Sequence, residues 1–392
     1  MKSRFWILAV LAGLGPACAP AAEEAEIQPL EKLLEPIRIR HKLPALAAAV
    51  IRDAKVCALG AVGVRKADAN VPVTRDDEFH IGSCTKAMTA TVLAALVDEG
   101  KLRWDMTLPE ALPELAKDIH SGYAKATVRH VLAHRAGIVP NSPPGKSFGE
   151  FFKLAGTQRQ QRLAYVREIL KVPPQAGIGE KYIYSNAGYA TAGAIAEHAA
   201  DTGWQELMRK TLFVPLGMKT AGFGAMGTPG KIDQPFQHVL IAERLQPIGP
   251  GQMSDNPVVI DPAGRVHCSL SDWASFVIAH LKGPRGAKGP LPIKTDTWKM
   301  LHEPVFGGNY AMGWLVAARG WGGGDVLTHA GSNTMNYAVV WMAPVRDYAV
   351  LVVTNLGGGI TAKACDEAAA ALVRAVPPRA TDEPVGERKN EK

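Results

Sequence analysis

Apolar residues recur along this chain with two different periods, and the change between the periods predicts the order of its elements. Apolar positions from 88 to 97 recur at helical spacing, and Gly100 supplies a stop signal. Two apolar runs at 46–51 and 56–64, separated by a polar turn, predict a β-hairpin. The same patterns predict further helices over 22–43, 127–137, 151–170, 187–200, 204–212, 270–281 and 362–373, and strands over 325–329, 337–342 and 348–353.

Strands near both ends of the chain enclose a helical middle, which predicts how the domain is assembled. We expect an α/β part built from about 22–82 and 265–376, with an all-helical part at about 83–264 inserted between them. Within the insertion, residues 223–264 are rich in glycine and proline and show little periodicity, which is typical of an irregular lid or binding loop. Residues 377–392 are polar, and we expect a disordered tail.

The composition fits a globular enzyme and argues against two classes of function. A chain of 392 residues with 47% hydrophobic and 21% charged residues can bury a large core. The formal charge of +7 is spread over short clusters, so we expect no nucleic-acid partner. The later cysteines are too few for a disulfide framework and too widely spaced for a zinc site, and their redox state stays open: Cys57, Cys84, Cys268 and Cys365.

The N-terminus has the pattern of a secretory signal. Lys2 and Arg4 precede an apolar run that is too short to span a bilayer, and small residues at 19–21 form a cleavage site. Residues 1–21 are therefore predicted to be a signal peptide, and the mature chain to be periplasmic or secreted with no transmembrane segment. Lipidation of Cys18 is the less favoured alternative, because the residues before it lack the leucine usual at such sites.

The segment where the 88–97 helix begins is the strongest candidate for chemistry. Ser83 and Lys86 are three residues apart, so a helix would project the hydroxyl and the amine side by side. The helix N-terminus would also offer N–H groups and its positive dipole end to an oxyanion formed at Ser83. An isolated S-x-x-K is usually a capping serine beside a solvated lysine, but the lysine-poor helix that follows looks buried.

A second candidate segment lies in the turn before the 187–200 helix and contains Tyr184 and Asn186. A tyrosinate or a neutral lysine can take the proton from Ser83, and an adjacent cation lowers the pKa that either group needs for this. For any single triplet of this kind, a packed tyrosine with an asparagine helix cap is the more common explanation.

A third candidate segment ends the first C-terminal strand and contains His329, Gly331 and Ser332. Small residues there would let a substrate backbone lie along the strand, and the Ser332 N–H could point at an oxyanion. The H-x-G triplet also occurs at 80–82 and 120–122, so only its position at the end of a strand gives it weight.

In this order the three segments resemble the motifs of the β-lactamase-related serine hydrolases: class C β-lactamases, D-Ala-D-Ala carboxypeptidases and family VIII carboxylesterases. The resemblance covers about 30–373, and the segments T-V-R-H-V-L-A-H-R-A-G (127–137) and P-L-G-M (215–218) add to it. It implies a β-lactamase/penicillin-binding fold over 22–376, with an antiparallel sheet flanked by helices and an all-helical subdomain. It also implies that no cofactor and no metal take part.

The resemblance implies a role for each candidate residue and a class of substrate. Ser83 would be the nucleophile, Lys86 and Tyr184 would share the general-base role, and the remaining positions would bind substrate or the oxyanion: Asn186, His329, Gly331 and Ser332. The substrate would be a small ester, a β-lactam or a peptidoglycan-type peptide. Many β-lactamases carry K-T-G where this chain has H-A-G, and a neutral histidine would hold a carboxylate less firmly, which favours a peptidase or an esterase.

Other patterns give rival interpretations. A penicillin-binding-like module without catalysis would be expected to lack one of the three catalytic candidates, which are all present. His130 and His134 are four apart, as metal ligands can be, but the glutamate of H-E-x-x-H is missing, which makes a metallohydrolase less favoured. The serine motifs at 145–149 (G-x-S-x-G) and 254–256 (S-D-N) lie outside the structural context that those motifs need.

Overall fold

An antiparallel sheet of six strands forms the centre of the fold. The computed structural model of the protein describes residues 28–251 and 253–379. Its strands are β1 (Ala45–Arg52), β2 (Lys55–Gly63), β3 (Glu78–His80), β4 (Gly222–Phe223), β5 (Gln237–Ile241), β6 (Arg244–Ile248), β7 (Val266–Ser269), β8 (Leu315–Arg319), β9 (Gly324–Ser332), β10 (Tyr337–Ala343) and β11 (Tyr348–Thr354). The order in the large sheet is β2-β1-β11-β10-β9-β8, so an N-terminal strand pairs with the last strand of the chain.

Helices cover both faces of this sheet. Those of the described residues are α1 (Leu30–Arg40), α2 (Thr85–Asp98), α3 (Leu108–Ala111), α4 (Val128–Leu132), α5 (Gln158–Lys171), α6 (Asn186–Ala200), α7 (Trp204–Met208), α8 (Asp261–Gly264), α9 (Leu270–Lys282), α10 (Thr295–Leu301) and α11 (Gly359–Ala375). Helices α1 and α11 lie on one face, and α9 lies on the other. The predicted class, an α/β fold with an antiparallel sheet flanked by helices, is confirmed.

Strand β1 shows why the sheet needs helices on both faces. Alternate side chains of a strand point to opposite faces, and both sets are apolar in β1. Ala47, Ala49 and Ile51 join the core shared with α2 and α9, whereas Ala48 and Val50 join the core under α1 and α11. The sheet is therefore buried on both faces at its middle strands.

Helix α2 runs through the larger of these two cores. Twelve of its fourteen residues are buried, which confirms the expectation of a buried helix at this position. The predicted β1–β2 hairpin and the three C-terminal strands are also confirmed. The division into an α/β part and a helical part stays a prediction.

Two element predictions need correction. The helix predicted over 151–170 begins at Gln158, because Gly156 turns the chain at a φ of 94° and Thr157 starts α5 with a capping box. A 3-10 helix, Phe148–Lys153, precedes that turn. The expectation that 223–264 is irregular throughout is wrong, since this stretch contains the β5–β6 hairpin and α8.

The predicted signal peptide at 1–21, Cys18 and most of the predicted tail at 377–392 lie outside the described residues. Within 28–251 and 253–379, no helix is both long enough and apolar enough to cross a membrane.

Candidate active site

Ser83 lies in a 3-10 turn, Gly82–Cys84, that leads from β3 into α2. Gly82 adopts a φ of 50°, and a Cβ at this position would overlap the Ser332 nitrogen of β9. Ser83 is partly exposed, whereas Gly82 and Cys84 are buried. The turn therefore presents one hydroxyl at the N-terminal end of a buried helix.

Lys86 lies one turn further along and is fully buried. Its Nζ atom is 3.0 Å from Ser83 Oγ, 2.7 Å from Asn186 Oδ1 and 2.7 Å from the Ala263 carbonyl oxygen. The two oxygens of Asn186 and Ala263 can only accept hydrogen bonds, whereas the hydroxyl of Ser83 can donate or accept. A neutral amine has two N–H donors and one lone pair, so it satisfies this set completely.

The electrostatic setting of Lys86 favours the neutral amine over the ammonium form. Burial penalises the ammonium form and lowers the pKa of Lys86 well below its ordinary value. Its three hydrogen-bond partners are uncharged oxygens, and they supply no opposite charge to offset that penalty. The lysine is therefore suited to accept a proton from Ser83.

Tyr184 and Asn186 reach the same point from the start of α6. The side chain of Ser185 caps this helix by accepting a hydrogen bond from the Gly188 N–H, which fixes the residues on either side of it. The Tyr184 ring centroid lies 4.7 Å from the Lys86 amine. Burial raises the pKa of the Tyr184 phenol above its ordinary value, and a hydrogen bond with Ser83 only partly opposes this. The phenol is therefore protonated at neutral pH.

Strand β9 closes the opposite side of the site. A Cβ on Gly331 would overlap the Ile81 carbonyl oxygen and lie 2.6 Å from the Ser83 nitrogen, so glycine is required for this backbone contact. The same contact brings the next residue, Ser332, against Gly82. The backbone segments that carry the Ser83 and Ser332 N–H groups are thus adjacent.

His329 is buried beside this contact, and both of its ring nitrogens have partners. Nδ1 lies 2.7 Å from the Ala330 carbonyl oxygen and therefore donates, which leaves Nε2 to accept from the Tyr310 hydroxyl at 3.2 Å. Burial lowers the pKa of His329 to about 3. The imidazole is neutral at neutral pH, as its ordinary pKa had already suggested.

Several contributors to the site were not predicted from the sequence. Tyr310 contacts His329, the Asn141 side chain accepts a hydrogen bond from Asn186, and the Ala263 carbonyl binds Lys86. His134 accepts a hydrogen bond from the Ser185 N–H, and its ring contacts four tyrosines of the site: Tyr182, Tyr184, Tyr189 and Tyr310. No local motif marks these residues, because they come together only in the fold.

The rival patterns occupy other settings. His130 lies 2.7 Å from the Thr127 hydroxyl and stacks on Phe306. Among residues 28–251 and 253–379, no three His, Cys, Asp or Glu side chains form a group that could hold a metal ion. Ser147 of the 145–149 motif caps the 3-10 helix that follows it. Cys84 is buried, and its thiol donates to the His329 carbonyl oxygen at 3.4 Å. Cys268 and Cys365 are likewise buried free thiols.

Comparisons with known proteins agree with this geometry. A sequence profile of the family described as Beta-lactamase matches residues 30–375. Penicillin-binding protein 4 of Amycolatopsis lactamdurans is 26% identical over 345 residues, which cover 83% of this chain and 84% of that protein.

Solved structures show the same fold. The octameric penicillin-binding protein homologue from Pyrococcus abyssi superposes with a TM-score of 0.72 at 24% identity, covering 89% of this chain and 77% of that one. A class C beta lactamase from Rhodobacter sphaeroides superposes with a TM-score of 0.68 at 18% identity, covering 88% of this chain and 98% of that one. The fold is therefore that of the β-lactamases and penicillin-binding proteins. The chain belongs to the beta-lactamase family of serine hydrolases.

Proposed function

We infer that the protein is a serine hydrolase that forms an acyl-enzyme at Ser83 and cleaves an ester or an amide. The observation that carries this proposal is the buried Lys86 amine, 3.0 Å from Ser83 Oγ and surrounded by uncharged oxygens. A serine becomes a nucleophile when an adjacent base can remove its proton.

The first half of the reaction uses Lys86 as the base. The neutral amine takes the proton as Ser83 Oγ attacks the carbonyl carbon, and the N–H groups of Ser83 and Ser332 stabilise the oxyanion. The bond to the leaving group then breaks, and the leaving group takes a proton that Tyr184 relays from Lys86. Asn186 holds the lysine through its 2.7 Å hydrogen bond while the charge changes.

In the second half, water hydrolyses the acyl-enzyme. Lys86, again neutral, takes a proton from water through the Tyr184 hydroxyl as the water attacks the acyl carbon. When the second tetrahedral intermediate collapses, the Ser83–acyl bond breaks and Lys86 returns the proton to Ser83 Oγ. The directions of the two pKa shifts favour this assignment over a resting tyrosinate, because burial favours both the neutral lysine and the protonated phenol.

The surroundings of the site favour substrates without a carboxylate at the His329 position. His329 is neutral and uses both ring nitrogens within the protein, so it offers no cation. Aromatic rings of Tyr182, Tyr184 and Tyr310 cluster beside it. These features support a small carboxylic ester as the preferred substrate, with β-lactams and D-Ala-terminated peptides as the alternatives that the family suggests. The pattern of residues 1–21 further supports export of the chain.

Side-by-side hydrolysis of p-nitrophenyl butyrate, nitrocefin and a D-Ala-D-Ala peptide tests this function. We expect turnover of the ester to exceed that of nitrocefin and to be abolished in Ser83→Ala. The matched control is Ser147→Ala, which removes the serine of the other motif and should keep wild-type turnover.

Turnover that persists in Ser83→Ala would overturn the mechanism. Dominant nitrocefin turnover would overturn only the preference for esters and would leave the acyl-enzyme mechanism in place. Acylation of Ser83 without release of product would indicate a binding module that does not turn over.

A further inference from the structure

Asp255 is a buried carboxylate that touches neither Ser83 nor Lys86 directly, yet it connects the two sides of the site. Its side chain is 2% exposed and lies in the segment between β6 and α8. Burial alone would raise its pKa, but interactions with His80 and Arg265 lower the pKa to about 2. A buried charge of this kind is costly unless every oxygen has partners, so its position needs an explanation.

One oxygen of Asp255 reaches the turn that carries the nucleophile. Its Oδ2 atom lies 3.0 Å from His80 Nε2, and His80 Nδ1 accepts a hydrogen bond of 3.1 Å from the Gly82 N–H. Because Nδ1 accepts the Gly82 N–H, Nε2 is the ring nitrogen that carries a proton and donates it to Asp255. The carboxylate therefore fixes the tautomer and the orientation of His80, which in turn fixes the peptide immediately before Ser83.

The other oxygen of Asp255 reaches the end of β9. Asn333 donates from Nδ2 to Asp255 Oδ1 at 3.2 Å, and its own Oδ1 accepts the N–H groups of Met335 and Asn336 at 3.1 and 2.9 Å. Asn333 follows Ser332 directly in the chain. This oxygen thus fixes the turn that follows the second proposed oxyanion donor.

Two further contacts hold Asp255 itself in place. Arg265 Nε donates to Oδ2 at 3.1 Å, and the Asn256 N–H donates to Oδ1 at 2.8 Å. Each oxygen therefore has one partner that leads to the site and one that anchors the carboxylate. A carboxylate that served stability alone would not need one hydrogen bond toward the Ser83 turn and another toward the Ser332 turn.

We propose that Asp255 is a positioning residue that sets the spacing of the Ser83 and Ser332 N–H groups through His80 and Asn333. This inference rests on the proposed function, in which those two N–H groups bind the oxyanion. Oxyanion stabilisation depends on donors placed 2.7–3.1 Å from the developing charge, and a displacement of about 1 Å can cost about 100-fold in rate. The oxyanion forms only after substrate binds, so the spacing affects kcat more than KM.

The first test is Asp255→Asn, which keeps the shape of the side chain and removes its charge. We expect kcat for p-nitrophenyl butyrate to fall about 10- to 100-fold, with KM within about twofold of wild type. The matched control is Asp77→Asn, because Asp77 is also buried and paired with an arginine, Arg65, but contacts no residue of the site. Asp77→Asn should lower the melting temperature and leave kcat unchanged when both proteins are assayed well below melting.

The second test separates positioning from folding. His80→Phe removes the link to the Ser83 turn, and Asn333→Ala removes the link to the Ser332 turn, while both keep the Asp255 charge. Each variant should lower kcat, and adding either change to Asp255→Asn should cost less than it does alone, since the links act through one carboxylate.

A failure of the positioning role can be told apart from a failure of the proposed hydrolase function. Wild-type protein is first labelled at Ser83 with a fluorophosphonate, and absence of labelling would count against the hydrolase proposal. If wild type is labelled and turns over, then a wild-type kcat in folded Asp255→Asn, or full additivity of the double variants, would overturn the positioning role. Should Asp255→Asn fail to fold, a wild-type kcat in His80→Phe would overturn it equally.

Discussion

At the scale of single residues, Lys86 determines whether the site can act as a base. Since burial lowers its pKa, the amine stays neutral as the pH rises through neutrality, and it becomes protonated as the pH falls through that lowered value. Protonation removes the lone pair that accepts the Ser83 proton. Activity should therefore be lost at pH values below the lowered pKa of Lys86 and retained at pH values above it.

Substitution of Lys86 tests this directly. Lys86→Met removes the base, and we expect kcat/KM to fall about 100- to 10,000-fold, as is usual when a general base is lost. Lys86→Arg retains a cation but stays protonated at all accessible pH values, so it should be equally impaired. A pH–rate profile from pH 5 to 10 makes the measurement, and an active Lys86→Arg variant would contradict the role of a neutral amine.

The sequence predicted the residues of this site whose types carry chemistry in themselves. The pair Ser83 and Lys86 was found because a helix period places their side chains together. Ala263 contributes only a backbone carbonyl, and Asp255 acts through two other side chains, so neither has a local pattern. Their roles depend on which distant segments meet, and that information is in the tertiary structure.

At the scale of elements, the site depends on the approach of β9 to the 3-10 turn before α2. Gly331→Ala would place a methyl group against the Ile81 carbonyl and the Ser83 nitrogen, and both are backbone atoms with little freedom to move. We expect loss of more than about 90% of activity together with a lower melting temperature, because the strand or the turn must shift.

Gly320→Ala is the matched control for that prediction. Gly320 begins the 3-10 turn between β8 and β9, is exposed, and has no atom within 4 Å of the position where a Cβ would lie. We expect its activity to match that of wild type and its free energy of unfolding to lie within about 0.5 kcal/mol of wild type. Equal effects of the two alanines would show that the close approach of β9 is not needed.

Elements with a clear period were predicted, and elements without one were missed. Helix α2 is rich in apolar residues over fourteen positions and strand β11 over seven, and this difference in length separates a helix from a strand. Strand β6 is only five residues long, contains a proline and has no buried residue, so its sequence is not typical of a strand. Strand β8 ends in exposed residues at the edge of the sheet, where burial imposes little pattern.

At the scale of the whole molecule, buried neutral histidines couple folding to pH. Burial lowers the pKa of three histidines: His134, His280 and His329. Burial also lowers the pKa of His302, which lies beside His280, to about 3. The unfolded chain takes up protons on these groups below about pH 6.5, whereas the folded chain does not. The stability they contribute is therefore fully present above that pH and is lost as the pH falls below it.

Urea unfolding at pH 7.5 and 5.5 measures this loss. Each such histidine contributes up to about 1.4 kcal/mol per pH unit once the unfolded state is protonated. His280→Phe should reduce the difference between the two pH values by up to about 1 kcal/mol, whatever its effect on stability itself. Phe213→Leu provides the control, since it changes a buried ring but no group that titrates between these two pH values, and it should leave the difference unchanged. Identical pH dependence in His280→Phe and wild type would contradict this account.

The overall architecture was predictable because the hydrophobic pattern changes character along the chain. Strands predicted near both ends of the chain can join one sheet, and β1 does pair with β11. The small sheet of β3, β7 and β4 was not predicted, since its strands are two to four residues long and offer too few positions for a pattern. That sheet joins the segment before Ser83 to the segment after α8, the helix whose Ala263 carbonyl binds Lys86.

The most direct test of the central claim is intact-protein mass spectrometry after reaction with a fluorophosphonate. The account predicts that wild-type protein gains the mass of one adduct, that peptide mapping places it on Ser83, and that Ser83→Ala gains none under the same conditions. An adduct of equal yield in Ser83→Ala, or wild-type protein that stays unlabelled while it hydrolyses p-nitrophenyl butyrate, would contradict it.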